Sequence, residues 1–459
     1  MKKSFIVNAL MALAIVAMSQ QTFAGNINES AARNTAKQFI QQQVSAGTFK
    51  ASRGVNLALA HAEASATVAG AHDYYAYNLE GGGWIIVAGE DRAASVLGYS
   101  DQGELNFNNL PCNFEGLLNN YKREIEFLQT CTDDDLVPRI RTAEGKGRVV
   151  DPLIKTNWGQ EMPYFLQCPV YNNEYCVVGC VATAMAQVMK YWQYPQECSG
   201  VSSFYCYDIG RTLPALPATT FDYNLMLDSY CHWDYNNSTL VQDTYTDAQA
   251  QEVAKLSRYC GQAVEMGYSP EGSGAYTDDQ LAAMKAFGYR STAQLVSKSG
   301  WYSNNYTTAE WEQMIETELT AGRPILYSAS DPAEGGHAFI CDGFNGSDKF
   351  HFNFGWYGTC DGWYVSTALN MVHREGDELH FNSSHQMLIG VQPPEGWQPP
   401  VTVIKGDVNG DGEVDVRDIT ALIDIIMNSI TDNPRADVNE DSAIDVRDIT
   451  ALIDLIMNV

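Results

Sequence analysis

The first 150 residues alternate between helical and strand-like patterns of apolar positions. Apolar residues recur at helical spacing over 31–44, which predicts an amphipathic helix. Three short runs rich in Tyr, Val and Ile follow at 73–78, 83–88 and 95–99, and they predict β-strands. Helical spacing returns at 114–129. We therefore expect one mixed α+β unit in this part of the chain.

The N-terminus carries the pattern of an export signal rather than that of a folded element. Lys2 and Lys3 precede an apolar run over residues 5–18, and Ala24 is the small residue that signal peptidase requires. The apolar run is too short to span a bilayer, since a spanning helix needs about 20 apolar residues. We expect a signal peptide at 1–24, no membrane span, and a secreted, extracellular or cell-surface-associated protein.

Composition shifts along the chain predict its division into segments. A basic, glycine-interrupted stretch at 138–148 ends the first unit, and exposed stretches of this kind are easily cleaved by proteases. A longer region rich in Tyr, Trp and Gly follows, and a proline-rich segment ends it. The expected divisions are a first unit at 25–148, a main domain at 149–394, a stiff linker at 395–405 and a C-terminal module at 406–459.

The C-terminal module contains one motif twice, at 407–418 and at 437–448, and a short amphipathic helix sequence follows each copy. Oxygen donors at alternating loop positions are what Ca²⁺ prefers, so we expect two Ca²⁺ ions here. Gly412 provides the turn glycine of the first loop, whereas Ser442 stands at that position in the second. The candidate ligands are Asp407, Asn409, Asp411, the carbonyl of Glu413, Asp415 and Asp418, and then Asp437, Asn439, Asp441, the carbonyl of Ala443, Asp445 and Asp448.

Overall charge and cysteine content limit the function. Acidic residues number 56 against 28 basic ones, for a net charge of -28, which argues against a nucleic-acid partner because phosphate binding needs an excess of Lys and Arg. Of 11 cysteines, Cys112 and Cys131 lie in the first unit and the rest lie beyond it. An exported chain can form disulfides. An odd number in the main domain fits one free thiol without fixing any pairing.

The stretch GCVATAMAQVMK, at 179–190, places Cys180 directly before a run of helical apolar spacing that extends to Trp192. Free N–H groups and the helix dipole favour an anion there, so we expect a lowered thiol pKa. A thiolate can attack an acyl group, and it needs an imidazole to protonate the leaving amine. His337 is the candidate, because it follows two glycines that permit close approach and opens an apolar strand.

A polar turn predicts that the strand at 338–344 pairs with a returning strand at 349–356. This hairpin would bring Asn353 and Trp356 near His337, where an amide could orient the imidazole and an indole could shield it from water. The register set by a two-residue turn, which we call the simple register, places Trp356 opposite His337 and Asn353 on the other face of the hairpin. A shift of one residue reverses these positions. Both registers stay open from the sequence.

Segments of the main domain resemble streptopain-family cysteine peptidases, and they are TNWGQEMPY (156–164), GCVATAMAQVMKYWQYP (179–195), GGHAFICDGF (335–344) and HFNFGWYGTCDGWY (351–364). The stretch GGGWIIVAGEDRAASVLGYSDQG (81–103) is similar to the propeptide of that family. The resemblance implies an α+β chain in which an inhibitory α+β propeptide precedes a papain-like peptidase domain, made together as an inactive zymogen.

The resemblance also implies roles for single residues. Cys180 is the nucleophile and His337 its acid–base partner, while Gln160 helps the Cys180 N–H to hold the oxyanion. Asn353 matches the asparagine of the returning strand. The residues matching or assigned to the substrate cleft are Gly336, Ser273 and Trp356. No cofactor is expected for catalysis.

One departure from the family pattern concerns the aromatic residue packed on the histidine. The family usually has Asn-Trp-Gly-Trp-Gly, whereas this chain has Phe354 after Asn353, and Trp356 is followed by Tyr357 before Gly358. The aromatic residue is therefore either Phe354 or Trp356.

Residues 406–459 resemble a type I dockerin module, a small all-α calcium-binding fold, and this implies a cohesin-like partner protein. Family members often carry Ser-Thr at the two partner-selecting loop positions, whereas this chain has Val416-Arg417 and Val446-Arg447. The partner is therefore not specified.

Taken together, these features predict a secreted cysteine endopeptidase, made as a zymogen, that acts on proteins or peptides and attaches to a partner protein. One alternative is a papain-like acyl transferase or amidase, which would not release new N-termini from a protein substrate. The other is a non-catalytic surface-binding protein, which an epoxide thiol inhibitor would not label.

Overall fold

The structure is a computed structural model that forms two compact units, Met1–Trp397 and Gln398–Val459. The predicted signal peptide and most of the basic stretch lie outside the described residues, as do Asp411 and Glu413 among the candidate ligands. The described residues are 25–49, 56–138, 148–234, 239–298, 306–331, 335–368, 371–373, 385–399, 405–409, 414–428, 430, 433, 435–439, 441 and 443–457.

The helices of the first unit are α1 (Glu29–Ser45), α2 (Cys112–Thr130), α3 (Cys180–Trp192), α4 (Asp247–Ala263), α5 (Thr277–Ala286) and α6 (Thr308–Thr320), with a short 3₁₀ turn at Asp133–Asp135. Three of these confirm helices predicted from apolar spacing, namely α1, α2 and α3. No described helix has both the length and the apolar content that a bilayer crossing demands.

The strands are β1 (Leu57–Ala64), β2 (His72–Leu79), β3 (Trp84–Ala88), β4 (Val96–Ser100), β5 (Leu136–Pro138), β6 (Val170–Tyr171), β7 (Glu174–Tyr175), β8 (Glu197–Cys198), β9 (Phe204–Cys206), β10 (Arg211–Leu213), β11 (Thr219–Thr220), β12 (Cys231–Asp234), β13 (Thr239–Gln242), β14 (Gln294–Ser297), β15 (Ile325–Asp331), β16 (Gly335–Phe344), β17 (Lys349–Asn353), β18 (Gly362–Val365), β19 (Met371–His373) and β20 (Gln386–Ile389). The three strands predicted early in the chain are confirmed as β2, β3 and β4.

One antiparallel sheet of ten strands runs through both the prosegment, as we call residues 25–148, and the region that follows it. Its order is β1-β2-β3-β4-β18-β17-β16-β15-β20-β14. Strands β4 and β18 form the junction, where Trp363 pairs with Tyr99 and Tyr364 with Gly98. The prosegment therefore extends the sheet of the region that follows it by strand addition.

The two faces of this sheet carry different helices, because successive side chains on a strand alternate between faces. On β16, Ala338 and Ile340 belong to the core that includes the apolar face of α3. Phe339 and Cys341 belong to the opposite core, which includes the buried face of the prosegment helix α2 and that of α6. The prosegment helix and the Cys180 helix thus pack against opposite faces of one strand.

The second unit contains α7 (Val416–Met427) and α8 (Val446–Met457). Each helix has an apolar face, and the buried residues Leu422 and Leu452 meet in one small core together with Val408 and Val438. Both helices were predicted from the repeat. The regular elements in the described residues of this unit are both α-helices, as expected.

Candidate active site

Cys180 is the first residue of α3, and Gly179 precedes it with φ of 87°. A side chain on Gly179 would lie 2.7 Å from the sulfur of Met266 and 2.9 Å from the carbonyl oxygen of Ser273. Glycine is therefore required twice over, by the backbone angle and by the lack of space. This explains why a glycine stands before the cysteine.

The Cys180 sulfur accepts a hydrogen bond from the backbone N–H of Ala338 at 3.4 Å. Burial raises the pKa of the Cys180 thiol, and the hydrogen bonds from Ala338, Val181 and its own N–H offset only part of that effect. The expectation of a lowered pKa is therefore wrong for this structure. The loss of hydration at the sulfur outweighs the hydrogen bonds that the helix start provides.

His337 lies on β16 two residues before Phe339, on the side that faces the prosegment. Its Nδ1 is 3.5 Å from the sulfur of Cys112, the first residue of the prosegment helix α2. The contact described for the imidazole nitrogen is therefore with a prosegment thiol, while the Cys180 sulfur bonds to the neighbouring backbone N–H.

Gln160 is held close to the Cys180 helix through its backbone. Its carbonyl accepts the N–H of Val178, two residues before Cys180, at 3.0 Å. Tyr357 fixes the same segment from the other side, because its hydroxyl accepts the N–H of Glu161 at 3.0 Å. Gly159 permits this contact, since a side chain there would lie 2.3 Å from the Tyr357 ring.

Asn353 is buried and pairs with Ile340 across the hairpin, which is the simple register. Its Oδ1 accepts from the Gln187 amide at 3.1 Å, and its Nδ2 donates to the Thr156 carbonyl at 2.8 Å. It therefore lies on the face opposite to His337. The hydrogen bonds described for Asn353 tie it to α3 through Gln187, a residue that the sequence did not single out.

One cavity of about 1070 Å³ lies over the N-terminus of α3. Six of the residues predicted for catalysis or substrate binding line this cavity, whereas Asn353 does not. The Ser273 hydroxyl in this wall donates to the Val177 carbonyl at 2.7 Å, so it also holds the chain just before Cys180. The six predicted residues in the cavity are Gln160, Cys180, Ser273, Gly336, His337 and Trp356.

The two candidate aromatic residues beside the histidine differ in their surroundings. Phe354 is buried and packs against Phe339, with ring centroids 5.4 Å apart. Trp356 is partly buried and lines the same cavity as His337. Phe354 thus belongs to the core beneath the site, and Trp356 belongs to the cavity wall.

The start of the prosegment helix inserts at the site through three consecutive residues. Cys112 contacts His337, and Asn113 donates from its amide to the Phe354 carbonyl at 2.9 Å. The Phe114 ring lies with its centroid 5.8 Å from those of both Phe354 and Tyr364. The sequence predicted the helix but not these contacts, since nothing local indicates which end of an amphipathic helix reaches a cleft.

In the second unit, the last acidic residue of each loop closes that loop. The Asp418 carboxylate accepts the N–H groups of Asn409 at 3.0 Å and Asp415 at 2.9 Å. Asp448 accepts those of Asn439 at 3.1 Å and Asp445 at 2.8 Å. Both carboxylates are fully buried.

The donor chemistry of these loops fits a hard cation, because every candidate ligand offers oxygen. Asp407, the first residue of the first loop, also forms an ion pair with Arg435 at 2.8 Å. Within the described ranges, no three His, Cys, Asp or Glu side chains already converge as a finished metal site would.

Comparison with known proteins identifies three regions. Residues 158–364 match the Peptidase C10 family, and residues 24–125 match the Spi protease inhibitor family. Residues 405–457 match the dockerin type I domain, a class of module that usually binds calcium and a cohesin-type protein partner.

Relatives match over most of the chain. Streptopain of Streptococcus pyogenes is 28% identical over 83% of this chain and 95% of its own length. A thiol protease/hemagglutinin of Porphyromonas gingivalis is 25% identical over 87% of this chain and 45% of its own length. Among solved structures, a prointerpain A fragment from Prevotella intermedia is 29% identical with a TM-score of 0.59, covering 74% of this chain and 100% of the fragment. The papain-like fold is confirmed, and the chain belongs to the streptopain-like peptidase C10 family of cysteine peptidases.

Proposed function

We propose that this chain is an exported cysteine endopeptidase made as a latent zymogen, in which Cys180 is the nucleophile and residues 25–148 are the inhibitory propeptide. The observation that carries the proposal is the insertion of the prosegment helix at the cavity, where Cys112 contacts His337 within the same space that Cys180 faces. A helix start placed there occupies the room that a substrate would need.

In the mature enzyme the proposed reaction is hydrolysis of a peptide bond. The Cys180 thiolate attacks the scissile carbonyl, and Gln160 and the Cys180 N–H stabilise the oxyanion. His337 then protonates the leaving amine and afterwards activates the water that releases the acyl-enzyme. Gly336, Ser273 and Trp356 border the cavity in which the substrate would lie.

Latency follows from the contacts of His337 and Cys180. The His337 nitrogen faces a prosegment thiol, and burial keeps the Cys180 pKa raised. A neutral thiol is a poor nucleophile. Removal of the prosegment would free His337 to approach Cys180 and would open the cleft. Asn353, held by Gln187 and Thr156, would then orient the imidazole only after a rearrangement of the hairpin.

The C-terminal unit is proposed to hold two Ca²⁺ ions and to attach the enzyme to a cohesin-like protein. The acidic and amide oxygens of the two loops, from Asp407 to Asp418 and from Asp437 to Asp448, would hold the ions. Bound Ca²⁺ would neutralise the clustered carboxylates and so stabilise the loops. Its role is structural, and no step of peptide hydrolysis involves it.

The test compares the secreted wild-type chain with the Cys180→Ala variant by mass spectrometry and casein hydrolysis. Self-shortening to near Val149, with activity in the wild type alone, supports a self-maturing peptidase. Shortening of both chains with activity in the wild type alone leaves the peptidase intact but assigns maturation to another enzyme. Absence of casein hydrolysis after removal of the prosegment refutes the proposal.

A further inference from the structure

The prosegment brings a second thiol to the proposed nucleophile. Cys112 and Cys180 line the same cavity, although they stand at the starts of helices on opposite faces of the sheet. The Cys112 sulfur is 3.5 Å from Nδ1 of His337, and the Cys180 sulfur is 3.4 Å from the backbone nitrogen of Ala338. The two sulfurs therefore lie against consecutive residues of one strand.

The shared cavity lets a charge on one thiol act on the other. Burial, and after it the negative charge of a Cys180 thiolate, raises the pKa of Cys112 to about 11. The other prosegment cysteine differs in this respect. Cys131 follows the opposite end of α2, does not line the cavity, and is influenced by Asp135 and Arg92 instead.

We propose that Cys112 and Cys180 form a reversible disulfide that blocks the nucleophile and locks the prosegment onto the peptidase. This inference rests on the proposed role of Cys180 as the nucleophile. It adds a redox modification site to the zymogen, and Cys112 becomes a residue that contributes to latency by a covalent bond as well as by its position.

The chemistry requires a small-molecule disulfide as the oxidant. His337 accepts the Cys112 proton, and the resulting thiolate attacks the oxidant, which releases one thiol and leaves a mixed disulfide on Cys112. The Cys180 sulfur, after losing its proton to solvent or to the departing thiolate, attacks the Cys112 sulfur and displaces the second thiol. Two protein thiols and one small disulfide thus become one protein disulfide and two small thiols, and a dithiol reductant reverses the exchange with two electrons.

His337 is placed to assist the first step. Both partly buried thiols are largely neutral at neutral pH, because burial raises their pKa values. Thiolate, not thiol, is the attacking species in disulfide exchange. The imidazole nitrogen at 3.5 Å from Cys112 supplies a base for this sulfur. The cavity provides the route by which a small disulfide reaches both sulfurs.

The consequence is that chain cleavage alone would not activate the oxidised zymogen. A cut between the prosegment and the peptidase breaks the backbone, but the disulfide keeps α2 in place. Activation would need a reductant in addition to a protease. A peptidase with this device stays latent under oxidising conditions and becomes active where thiols are abundant.

The test uses the full wild-type chain, first reduced and then exposed in the cold to oxidised glutathione after the reductant is removed. Digestion with trypsin and a glutamate-specific protease, without reduction, should yield a cross-linked pair of peptides that contain Cys112 and Cys180. Fragmentation distinguishes Cys180 from Cys176 in the same peptide. The pair should disappear in Cys112→Ser and persist in Cys131→Ser.

A second readout measures function. Labelling of Cys180 by an epoxide thiol inhibitor should be lost in the oxidised chain, after cleavage of the prosegment junction, and should return with dithiothreitol. Glutathione attached singly to Cys112 or Cys180, with no cross-linked pair, would overturn the inference. A cross-link in a chain whose reduced, mature form does not cleave casein would overturn the proposed function instead, so the two failures are distinguishable.

Discussion

Replacing Phe114 by alanine should release the prosegment from the peptidase. The Phe114 side chain is fully buried, and its ring contacts both Phe354 and Tyr364 of the peptidase region at centroid distances of 5.8 Å. It also packs against Trp84 of the prosegment at 6.3 Å. Loss of a buried phenylalanine costs about 3–5 kcal/mol.

The magnitude follows from this contact pattern. If about 3 kcal/mol of this cost destabilises the closed zymogen relative to the open form, the fraction of open zymogen rises about 100-fold. Each 1.4 kcal/mol or so changes an equilibrium constant by a factor of ten. The rate at which the uncleaved chain hydrolyses a fluorogenic peptide should rise by the same order. The assay measures initial rates before any shortening is visible by mass.

A matched variant is Phe107→Ala, which removes a ring that stacks on His61 within the prosegment at 4.2 Å and makes no described ring contact with the peptidase. Its initial rate should rise far less than that of Phe114→Ala. Equal rates for Phe114→Ala and the wild type, in chains that are both folded by circular dichroism, would refute the role of the helix start in latency.

Three further predictions concern a buried acid, the calcium loops and a glycine. Burial raises the pKa of Asp73 in the prosegment to about 7, so the stability that the protonated group provides is lost as pH rises from about 4 to 7. Asp73→Asn, made in the inactive Cys180→Ala zymogen, should therefore raise the thermal unfolding midpoint more at pH 8 than at pH 4. An equal rise in the midpoint at both pH values would contradict this. Chelation of Ca²⁺ should lower the thermal unfolding midpoint of the C-terminal unit and abolish partner binding, with no change in peptide hydrolysis by the matured enzyme. A calorimetric midpoint that does not change on chelation would contradict a structural role for the metal. Gly179→Ala should lower kcat/KM of the matured enzyme about 5- to 150-fold, given a strain of roughly 1–3 kcal/mol, whereas Gly272→Ala, whose added side chain would meet open space, should leave kcat/KM unchanged.

The helices could be predicted because their apolar spacing is a local property. The pattern around Cys180 predicted α3 to its last residue, and the repeat predicted both helices of the second unit. The hairpin register was harder, because a bulge between Cys341 and Gly343 shifts the pairing by one residue near the turn. Beyond the bulge, the simple register returns and places Asn353 opposite Ile340.

The contacts to which we attribute latency could not be predicted, since they join distant parts of the chain. Cys112 and His337 are 225 residues apart in sequence, and neither pattern nor spacing connects them. The raised pKa of Cys180 is likewise a property of the packed site, because it depends on how completely water is excluded from the sulfur. A helix start alone predicts the opposite direction.

The most direct test of the central claim is the rate of Cys180 labelling by an epoxide thiol inhibitor, measured on the same reduced chain before and after removal of the prosegment. The account predicts slow labelling before removal and rapid labelling afterwards, with the adduct located on Cys180 by peptide mass spectrometry. Equal rates in the two forms, or an adduct on another cysteine, would contradict it.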